Sequence, residues 1–275
     1  MTLLEALVLG VVQGLTEFLP ISSTAHVRLV PALFGWGDPG AAASAIIQLG
    51  TMASVVIFFR RDFLKLTKAF FRGIANGKPF DEFESRMAWY IGVGTIPVGV
   101  LGFLFRHSIV TSARSLYLIA SSLILLALAL ALAERISTFR RGTSSIAFMD
   151  CVIVGLAQAL ALVPGSSRSG TTITAGLFLG LTREAAARFS FLLSIPAVIA
   201  SGFFEMYQVR HSLSTVVAVN LTVATVFSAV TGYAGIAFLL RYLRTHTTYV
   251  FVWYRILLGG LIFLLLLLGI LSPVT

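Results

Sequence analysis

Long apolar runs separated by short charged stretches dominate this sequence. The runs lie near residues 3 to 33, 42 to 59, 87 to 105, 116 to 133, 150 to 181, 187 to 207, 216 to 240 and 249 to 271. A helix of about 20 apolar residues spans a bilayer. Only 11% of the residues are charged, whereas a water-soluble protein carries about 25%. The sequence therefore predicts an all-α, polytopic integral membrane helix bundle that forms a single membrane domain over residues 1 to 275.

The basic residues of the chain fall between the apolar runs instead of along one face. The formal net charge is +9, but this distribution is typical of charges that orient membrane helices. We therefore expect the lipid bilayer, and no nucleic acid, as a partner. Cys151 is the only cysteine, so an internal disulfide is excluded.

The charge pattern also predicts how the chain crosses the membrane. The stretch from 60 to 86 is the richest in basic residues, which predicts a cytoplasmic loop. Counting crossings in both directions from the basic stretches requires residues 150 to 181 to begin and end inside. By the same count, residues 3 to 33 begin and end outside. We therefore expect two re-entrant helix pairs that enter from opposite faces, with both termini outside.

Each of these two segments is interrupted by polar residues, and the two interruptions resemble one another. The matching residues are Gly10, Gln13, Leu15, Pro20, Ser22 and Ser23 in the first segment, and Gly155, Gln158, Leu160, Pro164, Ser166 and Ser167 in the second. The spacing slips by one residue, so the repeat is weak. Weak similarity with opposite insertion predicts inverted-topology repeats, at about 1 to 135 and 150 to 275. The two interruptions would then meet near the membrane midplane and form one polar site.

The first interruption follows a carboxylate in an otherwise apolar run. Gln13 and Glu17 are four residues apart and share one helix face. A carboxylate inside a membrane is costly to bury, which favours a functional role over a structural one. Three hydroxyls and an imidazole follow it, on Ser22, Ser23, Thr24 and His26. They either take part in chemistry, with His26 moving a proton, or serve only as a helix cap and an interfacial histidine.

The second interruption combines glycines, hydroxyls and one arginine. Its candidate substrate-binding residues are Gly165, Ser166, Ser167, Arg168, Ser169, Gly170 and Thr172. Arg168 can hold two phosphate oxygens at once, and a helix beginning near Thr171 would add its positive end. The pattern predicts an oxyanion cradle, and the alternative is a kink whose arginine pairs with Glu17. The Gly-Lys-Ser/Thr ending of the nucleotide P-loop is absent.

Together the two interruptions favour chemistry on a phosphate ester or a diphosphate. Arg255, beside Tyr254 in the last run, either faces this site or extends to the membrane surface. Gln48 and Glu205 also lie in apolar runs, where they can pack in the bundle or sit at an interface, and neither is assigned to the site.

Two stretches resemble the signature motifs of the undecaprenyl-diphosphate phosphatase family, also called the bacitracin resistance protein family. They read Gln13-Gly-Leu-Thr-Glu17-Phe-Leu-Pro-Ile-Ser-Ser-Thr-Ala-His26 and Pro164-Gly-Ser-Ser-Arg168-Ser-Gly-Thr-Thr172. The resemblance extends to Ile47-Gln48-Leu-Gly, Phe189-Ser-Phe-Leu-Leu and Tyr254-Arg255. It implies a multi-pass enzyme of the bacterial inner membrane that hydrolyses undecaprenyl diphosphate to undecaprenyl phosphate and inorganic phosphate. Such an enzyme recycles the lipid carrier of cell-wall synthesis, and its active site faces the periplasm. The charge count, which puts both termini outside, agrees with that orientation.

The resemblance also implies roles for particular residues. Glu17 is expected to be a metal ligand or a base, with Gln13 in support, and His26 to transfer a proton or act as nucleophile. Ser23 and Ser167 are expected to be catalytic hydroxyls, and Arg168 a catalytic residue that binds the diphosphate. The other expected contacts with the substrate come from Ser22, Thr24, Gly165, Ser166, Ser169, Gly170, Thr172 and Arg255. The expected cofactor is a divalent cation, Mg²⁺ or alternatively Ca²⁺. The family carries Glu or Gln at the position of Gln13, so the glutamine here leaves Glu17 as the only carboxylate of that pair.

Two other functional classes compete with the phosphatase. Inverted repeats with broken helices are also typical of secondary transporters, so a flippase for the lipid carrier is the leading alternative. Another superfamily of membrane lipid phosphatases requires a histidine soon after a Ser-Arg pair. The histidines here are at positions 26, 107, 211 and 246, so that class is set aside. The nucleophile, the metal, the lipid length and a homodimer stay open at this point.

Overall fold

The computed structural model describes residues 1–107, 115–210 and 214–273, and the described residues form a bundle of α-helices without a β-strand. In chain order the helices are α1 (Leu3–Glu17), α2 (Ser23–Phe34), α3 (Gly40–Phe58), α4 (Arg60–Ala75), α5 (Phe83–Leu104), α6 (Leu116–Ile136), α7 (Phe148–Ala159), α8 (Arg168–Phe178), α9 (Arg183–Val209), α10 (Thr215–Leu243) and α11 (Tyr249–Leu267). Short 3₁₀ turns occur at Thr143–Ser145 and Leu160–Leu162. The all-α prediction is confirmed.

Among the described residues, six helices are long and apolar enough to cross a membrane. They are α3, α5, α6, α9, α10 and α11, with mean hydropathies from 1.6 to 2.5 in their most apolar windows. Each begins and ends within a few residues of an apolar run in the sequence. The prediction of a polytopic membrane helix bundle is therefore confirmed.

The two remaining apolar runs are each divided into a pair of shorter helices, α1 with α2 and α7 with α8. Each pair meets at a serine with a positive φ angle, which is uncommon for a residue other than glycine: 73° at Ser22 and 67° at Ser167. Each serine caps the following helix, since its hydroxyl accepts a hydrogen bond from the backbone N–H of Ala25 or Gly170. The re-entrant path of the pairs and the duplication remain predictions.

The serine cap corrects one boundary. The sequence indicated a helix beginning near Thr171, whereas α8 begins at Arg168 because Ser167 caps it. Arg168 therefore occupies the first helical position, at the junction of the two helices. We call the junction between α1 and α2 the first break and that between α7 and α8 the second break.

Helix α4 was not anticipated, because its density of charge suggested a loop. It is an amphipathic helix that follows α3 directly and buries Ala69 and Gly73, while its basic side chains at Arg60, Arg61 and Lys65 lie at the surface or close to it. A helix with one charged face and one apolar face suits a membrane surface better than the bilayer interior. The predicted basic stretch thus contains a helix.

The first helix of each pair packs against a membrane-spanning helix through glycine. A Cβ atom at Gly10 of α1 would lie 2.3 Å from the carbonyl oxygen of Ala224 in α10. A Cβ atom at Gly155 of α7 would lie 2.5 Å from the carbonyl oxygen of Gly94 in α5. Only glycine allows backbones to approach this closely, as is common where helices associate in membranes.

We expect Gly155→Ala to lower the melting temperature of the protein in detergent. The added methyl group overlaps the backbone of Gly94, and overpacking of this kind costs about 1–3 kcal/mol. Gly92→Ala is the matched control in the same pair of helices, because a Cβ atom there meets nothing within 4 Å. The control should be neutral or slightly stabilising, since alanine favours helix over glycine. Equal melting temperatures for the two variants would contradict the close contact between α5 and α7.

Candidate active site

A cavity of about 540 Å³ lies where the two breaks meet α3, α5 and α9. The residues that the breaks contribute to its wall are Glu17, Ser23, Thr24, Gly165, Ser167 and Arg168. Much of the remaining wall is apolar, with side chains such as Val98, Phe103 and Leu162. The cavity therefore joins a polar cluster to an apolar space, which suits an amphiphilic ligand.

Glu17 is the centre of the polar cluster. Its Oε2 accepts hydrogen bonds from Gln13 Nε2 at 2.7 Å and from Ser23 Oγ at 2.6 Å. Its Oε1 accepts a hydrogen bond from Arg168 Nη2 at 2.9 Å. The Glu17 and Arg168 side chains are only 4% and 11% exposed. The structure thus brings together one residue of the predicted first motif and one of the second, in a buried ion pair.

The Glu17–Arg168 ion pair lies in a different part of the bundle from several other ion pairs of the described residues. Asp62–Arg188, Glu134–Arg183 and Glu184–Arg244 lie toward the end of the bundle where α9 begins. Arg106–Glu205 lies near the opposite end, where α9 finishes. Glu17 and Arg168, in contrast, meet at the broken helices, where a charge is expensive unless it is compensated. This placement favours a functional role for the pair.

Arg168 has hydrogen-bonding capacity left for a ligand. Only its Nη2 is bonded, to Glu17, whereas its buried Nε and Nη1 have no hydrogen-bond partner in the described protein. A guanidinium group can donate to two oxygens of one phosphate group. The carboxylate of Glu17 holds the guanidinium in place, and the two remaining donors can bind an anionic ligand.

The other hydroxyls predicted for the cradle are used to hold the breaks together. Ser169 Oγ donates to the carbonyl oxygen of Leu19 at 3.0 Å, which links the second break to the first. Thr172 Oγ1 donates to the carbonyl oxygen of Arg168 at 2.7 Å and lies 2.6 Å from Ser190 Oγ. Neither residue lines the cavity, and neither does Ser22 or Ser166. Their positions indicate support for the site rather than contact with a ligand.

Two glycines of the second break are required by packing. Gly165 has a φ of 91°, and a Cβ atom there would lie 2.5 Å from the carbonyl oxygen of Ile119 in α6. A Cβ atom at Gly170 would lie 2.6 Å from Arg255 Nη1. The sequence suggested close approach to a ligand, and Gly165 does line the cavity. The close contacts themselves are with α6 and α11.

Arg255 neither lines the cavity nor extends to the surface. It is fully buried, and its guanidinium donates to five backbone carbonyl oxygens at 3.1 to 3.4 Å. These carbonyls belong to Pro20 in the first break, to Gly165 and Ser166 in the second, and to Ser122 and Leu123 in α6. Arg255 therefore connects both breaks to α6, whereas the sequence suggested contact with substrate.

His26 also lies outside the cavity lining. Its Nδ1 is 2.7 Å from the carbonyl oxygen of Ser22, and its Nε2 is 2.6 Å from the hydroxyl oxygen of Tyr254. A carbonyl oxygen only accepts, so Nδ1 carries a proton, and in the neutral ring Nε2 accepts from Tyr254. The rings of His26 and Tyr254 are stacked, with centroids 5.6 Å apart. Both ring nitrogens are thus occupied away from Glu17.

Several polar residues of the cavity wall were not predicted. Gln48, Thr95, Arg106, Gln158, Ser201 and Glu205 all line it. Gln48 and Glu205 were noticed in the sequence but not assigned, and Gln158 was used only to align the repeat. Gln48, Thr95, Gln158 and Ser201 lie six or more residues inside apolar runs. This depth was the available signal, because polar side chains there are costly and often functional. Arg106 and Glu205 lie at or near the ends of their runs and gave no such signal.

The residues at the site fit a divalent cation only if the ligand shares in binding it. No group of three or more His, Cys, Asp or Glu side chains that could hold a metal ion occurs among the described residues. Glu17 supplies one carboxylate beside the Ser23 hydroxyl. Mg²⁺ commonly binds through one or two carboxylates together with substrate phosphates and water. That is the arrangement that this donor set permits.

Comparison with known proteins gives consistent matches along the chain. A family model described as bacitracin resistance protein BacA matches residues 6–261. The undecaprenyl-diphosphatase of Chloroherpeton thalassium is 56% identical over 278 residues, covering 98% of this chain and 98% of that protein. That of Chlorobium phaeobacteroides is 55% identical, covering 94% of this chain and 95% of that protein. That of Myxococcus xanthus is 54% identical, covering 100% of this chain and 93% of that protein.

Proposed function

This chain belongs to the bacitracin resistance protein BacA family, and we propose that it hydrolyses undecaprenyl diphosphate to undecaprenyl phosphate and inorganic phosphate. It is a multi-pass membrane protein, and its relatives named undecaprenyl-diphosphatase match almost the whole chain. The proposed role is recycling of the lipid carrier for cell-wall synthesis, with bacitracin resistance as a consequence.

The observation that carries this proposal is the Glu17 carboxylate held between Ser23 and Arg168 in the cavity wall. A diphosphate brings several negative charges, and its cleavage requires that these be neutralised and that an attacking oxygen be deprotonated. Arg168 supplies the first requirement through its two unpaired donors. Glu17 supplies the second, because it is the carboxylate beside the Ser23 hydroxyl.

The shortest route through these residues uses Ser23 as the attacking group. Glu17 accepts the Ser23 proton while Oγ forms a bond to the terminal phosphorus, and the bond from that phosphorus to the bridging oxygen breaks. The lipid phosphate leaves with the bridging oxygen. Glu17 gives the Ser23 proton to the departing lipid phosphate and is a carboxylate again. Water then attacks the phosphoserine and gives a proton to Glu17 while the bond from phosphorus to Ser23 Oγ breaks. Glu17 passes this proton to Oγ, and inorganic phosphate is released. His26 is not needed, in keeping with its hydrogen bonds to Ser22 and Tyr254.

The cavity is too small for the whole lipid, which agrees with a substrate held mostly by the bilayer. Its volume of about 540 Å³ suits a headgroup and the first part of an isoprenoid tail. Apolar wall residues such as Phe103 and Phe204 would contact the tail as it leaves toward the membrane.

We further propose that a divalent cation, Mg²⁺ or alternatively Ca²⁺, assists the reaction. When bound, it would neutralise charge on the phosphate oxygens, as metal ions do in phosphoryl transfer. Glu17 is the residue that would hold it together with the substrate. Arg168 and the first turn of α8 would share the remaining charge of the diphosphate.

The proposed location is the bacterial inner membrane, with the cavity and both termini facing the periplasm. The basic stretch from 60 to 86 supports this orientation, because positively charged segments stay on the cytoplasmic side. The start of α9 shares that side with Asp62 through Arg188. The end of α9, where Glu205 meets the cavity, then faces the periplasm.

The proposal is tested by phosphate release from a long-chain polyprenyl diphosphate with the detergent-purified protein. We expect equal amounts of inorganic phosphate and polyprenyl phosphate, a phosphoserine after acid quenching, loss of activity with EDTA and recovery with Mg²⁺. A flippase would instead move a fluorescently labelled polyprenyl phosphate across the bilayer of reconstituted vesicles without releasing phosphate. Intact protein that binds the lipid yet releases no phosphate would overturn the phosphatase assignment in favour of transport.

A further inference from the structure

Gln158 is a buried side chain whose polar atoms have no partner. It lies near the end of α7, is 0% exposed and lines the cavity. Neither its Oε1 nor its Nε2 has a hydrogen-bond partner in the described protein. Burying an amide without hydrogen bonds is unfavourable, so almost all buried side-chain amides are bonded. An amide left unpaired in a cavity wall points to a ligand that completes its hydrogen bonds.

The first break shows what a glutamine at this place does when it has a local partner. Gln13 lies nine residues before the capping Ser22, and Gln158 lies nine residues before the capping Ser167. Gln13 Nε2 donates to Glu17, four residues later. Four residues after Gln158 the chain has Leu162 instead. Gln158 therefore occupies the same position relative to its break as Gln13, but no carboxylate follows it four residues later to accept its hydrogen bond.

Other unpaired groups that line the same cavity indicate the chemistry of the missing partner. Arg168, on the same cavity wall, has unpaired donors at Nε and Nη1. Together with Gln158 Nε2, the second break thus presents several N–H donors without acceptors. Acceptor-rich, negatively charged oxygens are the natural complement of such a set, and phosphate oxygens are the best suited.

We propose that Gln158 binds the diphosphate of the substrate, its Nε2 donating to a phosphate oxygen beside the guanidinium of Arg168. This proposal rests on the phosphatase function and adds a binding residue to the same site. The unpaired amide makes the free protein less stable than it could be, and substrate binding restores the hydrogen bond. Stability without ligand and affinity for the diphosphate should therefore change in opposite directions when the amide is removed.

The test is Gln158→Leu, which keeps nearly the same volume and removes both polar atoms. The control is Gln208→Leu, at an exposed position in α9. The melting temperature in detergent is measured without ligand and with millimolar inorganic pyrophosphate, and phosphate release is measured over a range of lipid concentration. We expect Gln158→Leu to melt at the same or a higher temperature, to lose at least half of the pyrophosphate-induced shift, and to raise KM about 10- to 100-fold, as for one hydrogen bond to a charged group. The control should match the wild type in the pyrophosphate shift and in KM.

The opposite pattern would overturn the proposal. If Gln158→Leu melts at a lower temperature and keeps both the wild-type KM and the pyrophosphate shift, Gln158 is a packing residue. A wild-type protein whose melting temperature does not respond to pyrophosphate would equally exclude a diphosphate at this amide. If the wild-type protein releases no phosphate but shows a pyrophosphate shift that Gln158→Leu loses, the phosphatase function fails while the binding site stands.

Discussion

Phosphate release by Glu17→Gln should fall about 1,000-fold in kcat, the order of loss seen when a group that acts in the transition state is removed. Glutamine preserves the shape of the side chain but cannot accept the proton of Ser23, whose Oγ is 2.6 Å from Glu17 Oε2. It also removes the charge that binds Arg168 Nη2. Arg168 is then freer to bind a diphosphate, so KM should stay constant or decrease.

A fall in kcat without a rise in KM distinguishes the loss of a catalytic base from a defect in substrate binding. Steady-state kinetics on folded protein, checked by its melting temperature, provides the measurement. Glu184→Gln is the matched control, because it breaks an ion pair with Arg244 that is partly exposed and remote from the cavity. The control should retain wild-type kinetics. A Glu17→Gln protein with unchanged kcat and a raised KM would show that Glu17 holds the substrate or its cation without acting as a base.

The membrane-spanning helices were predictable because bilayer thickness imposes their length and composition. α6, for example, runs from 116 to 136 and coincides with an apolar run of the sequence. α4 was not predictable on that basis, since its charged residues exclude it from the bilayer interior. Its apolar face is visible only when it is read with the period of a helix, which an average hydropathy does not capture.

The polar centre of the site was predictable for a different reason. Glu17 and Ser23 flank one chain break, so their proximity follows from local geometry, and the cost of an isolated carboxylate in a membrane required a cation such as Arg168. Direct contact between Glu17 and Arg168 was foreseen only as the alternative to a ligand-binding role. The structure permits both, because one nitrogen of Arg168 binds Glu17 and two remain unpaired.

The roles of more distant residues depend on which helix faces meet, and a single sequence contains little information about that. Arg255 was expected to bind substrate or reach the surface, but the packing of α11 against α6 brings it to five carbonyl oxygens. His26 was expected at the reaction centre, and Tyr254 from α11 instead occupies its Nε2. Such cross-helix contacts are properties of the folded bundle.

Arg255→Met should lower the melting temperature by about 6 °C or more and reduce the yield of folded protein. Methionine packs well but donates no hydrogen bond, so the carbonyl oxygens of Pro20, Gly165 and Ser166 would lose a common partner. Each unsatisfied buried acceptor costs about 1–3 kcal/mol, and about 1 kcal/mol shifts the melting temperature of a chain of this size by roughly 2–4 °C. Phosphate release should fall with it, because both breaks lose the hydrogen bonds of Arg255 that connect them to α6.

Arg255→Lys tests whether the planar guanidinium group, and not only the positive charge, is required at this position. Lysine keeps the positive charge, but its single ammonium group presents fewer donors from one point and cannot reach carbonyls on three chain segments as a planar guanidinium does. Its melting temperature should therefore lie between those of the wild type and Arg255→Met, whereas Arg241→Met, at an exposed position of α10, should match the wild type. An Arg255→Met protein that melts like the wild type and yet shows a raised KM would contradict the structural role. That result would indicate that Arg255 contacts the substrate, as the resemblance to the family implied.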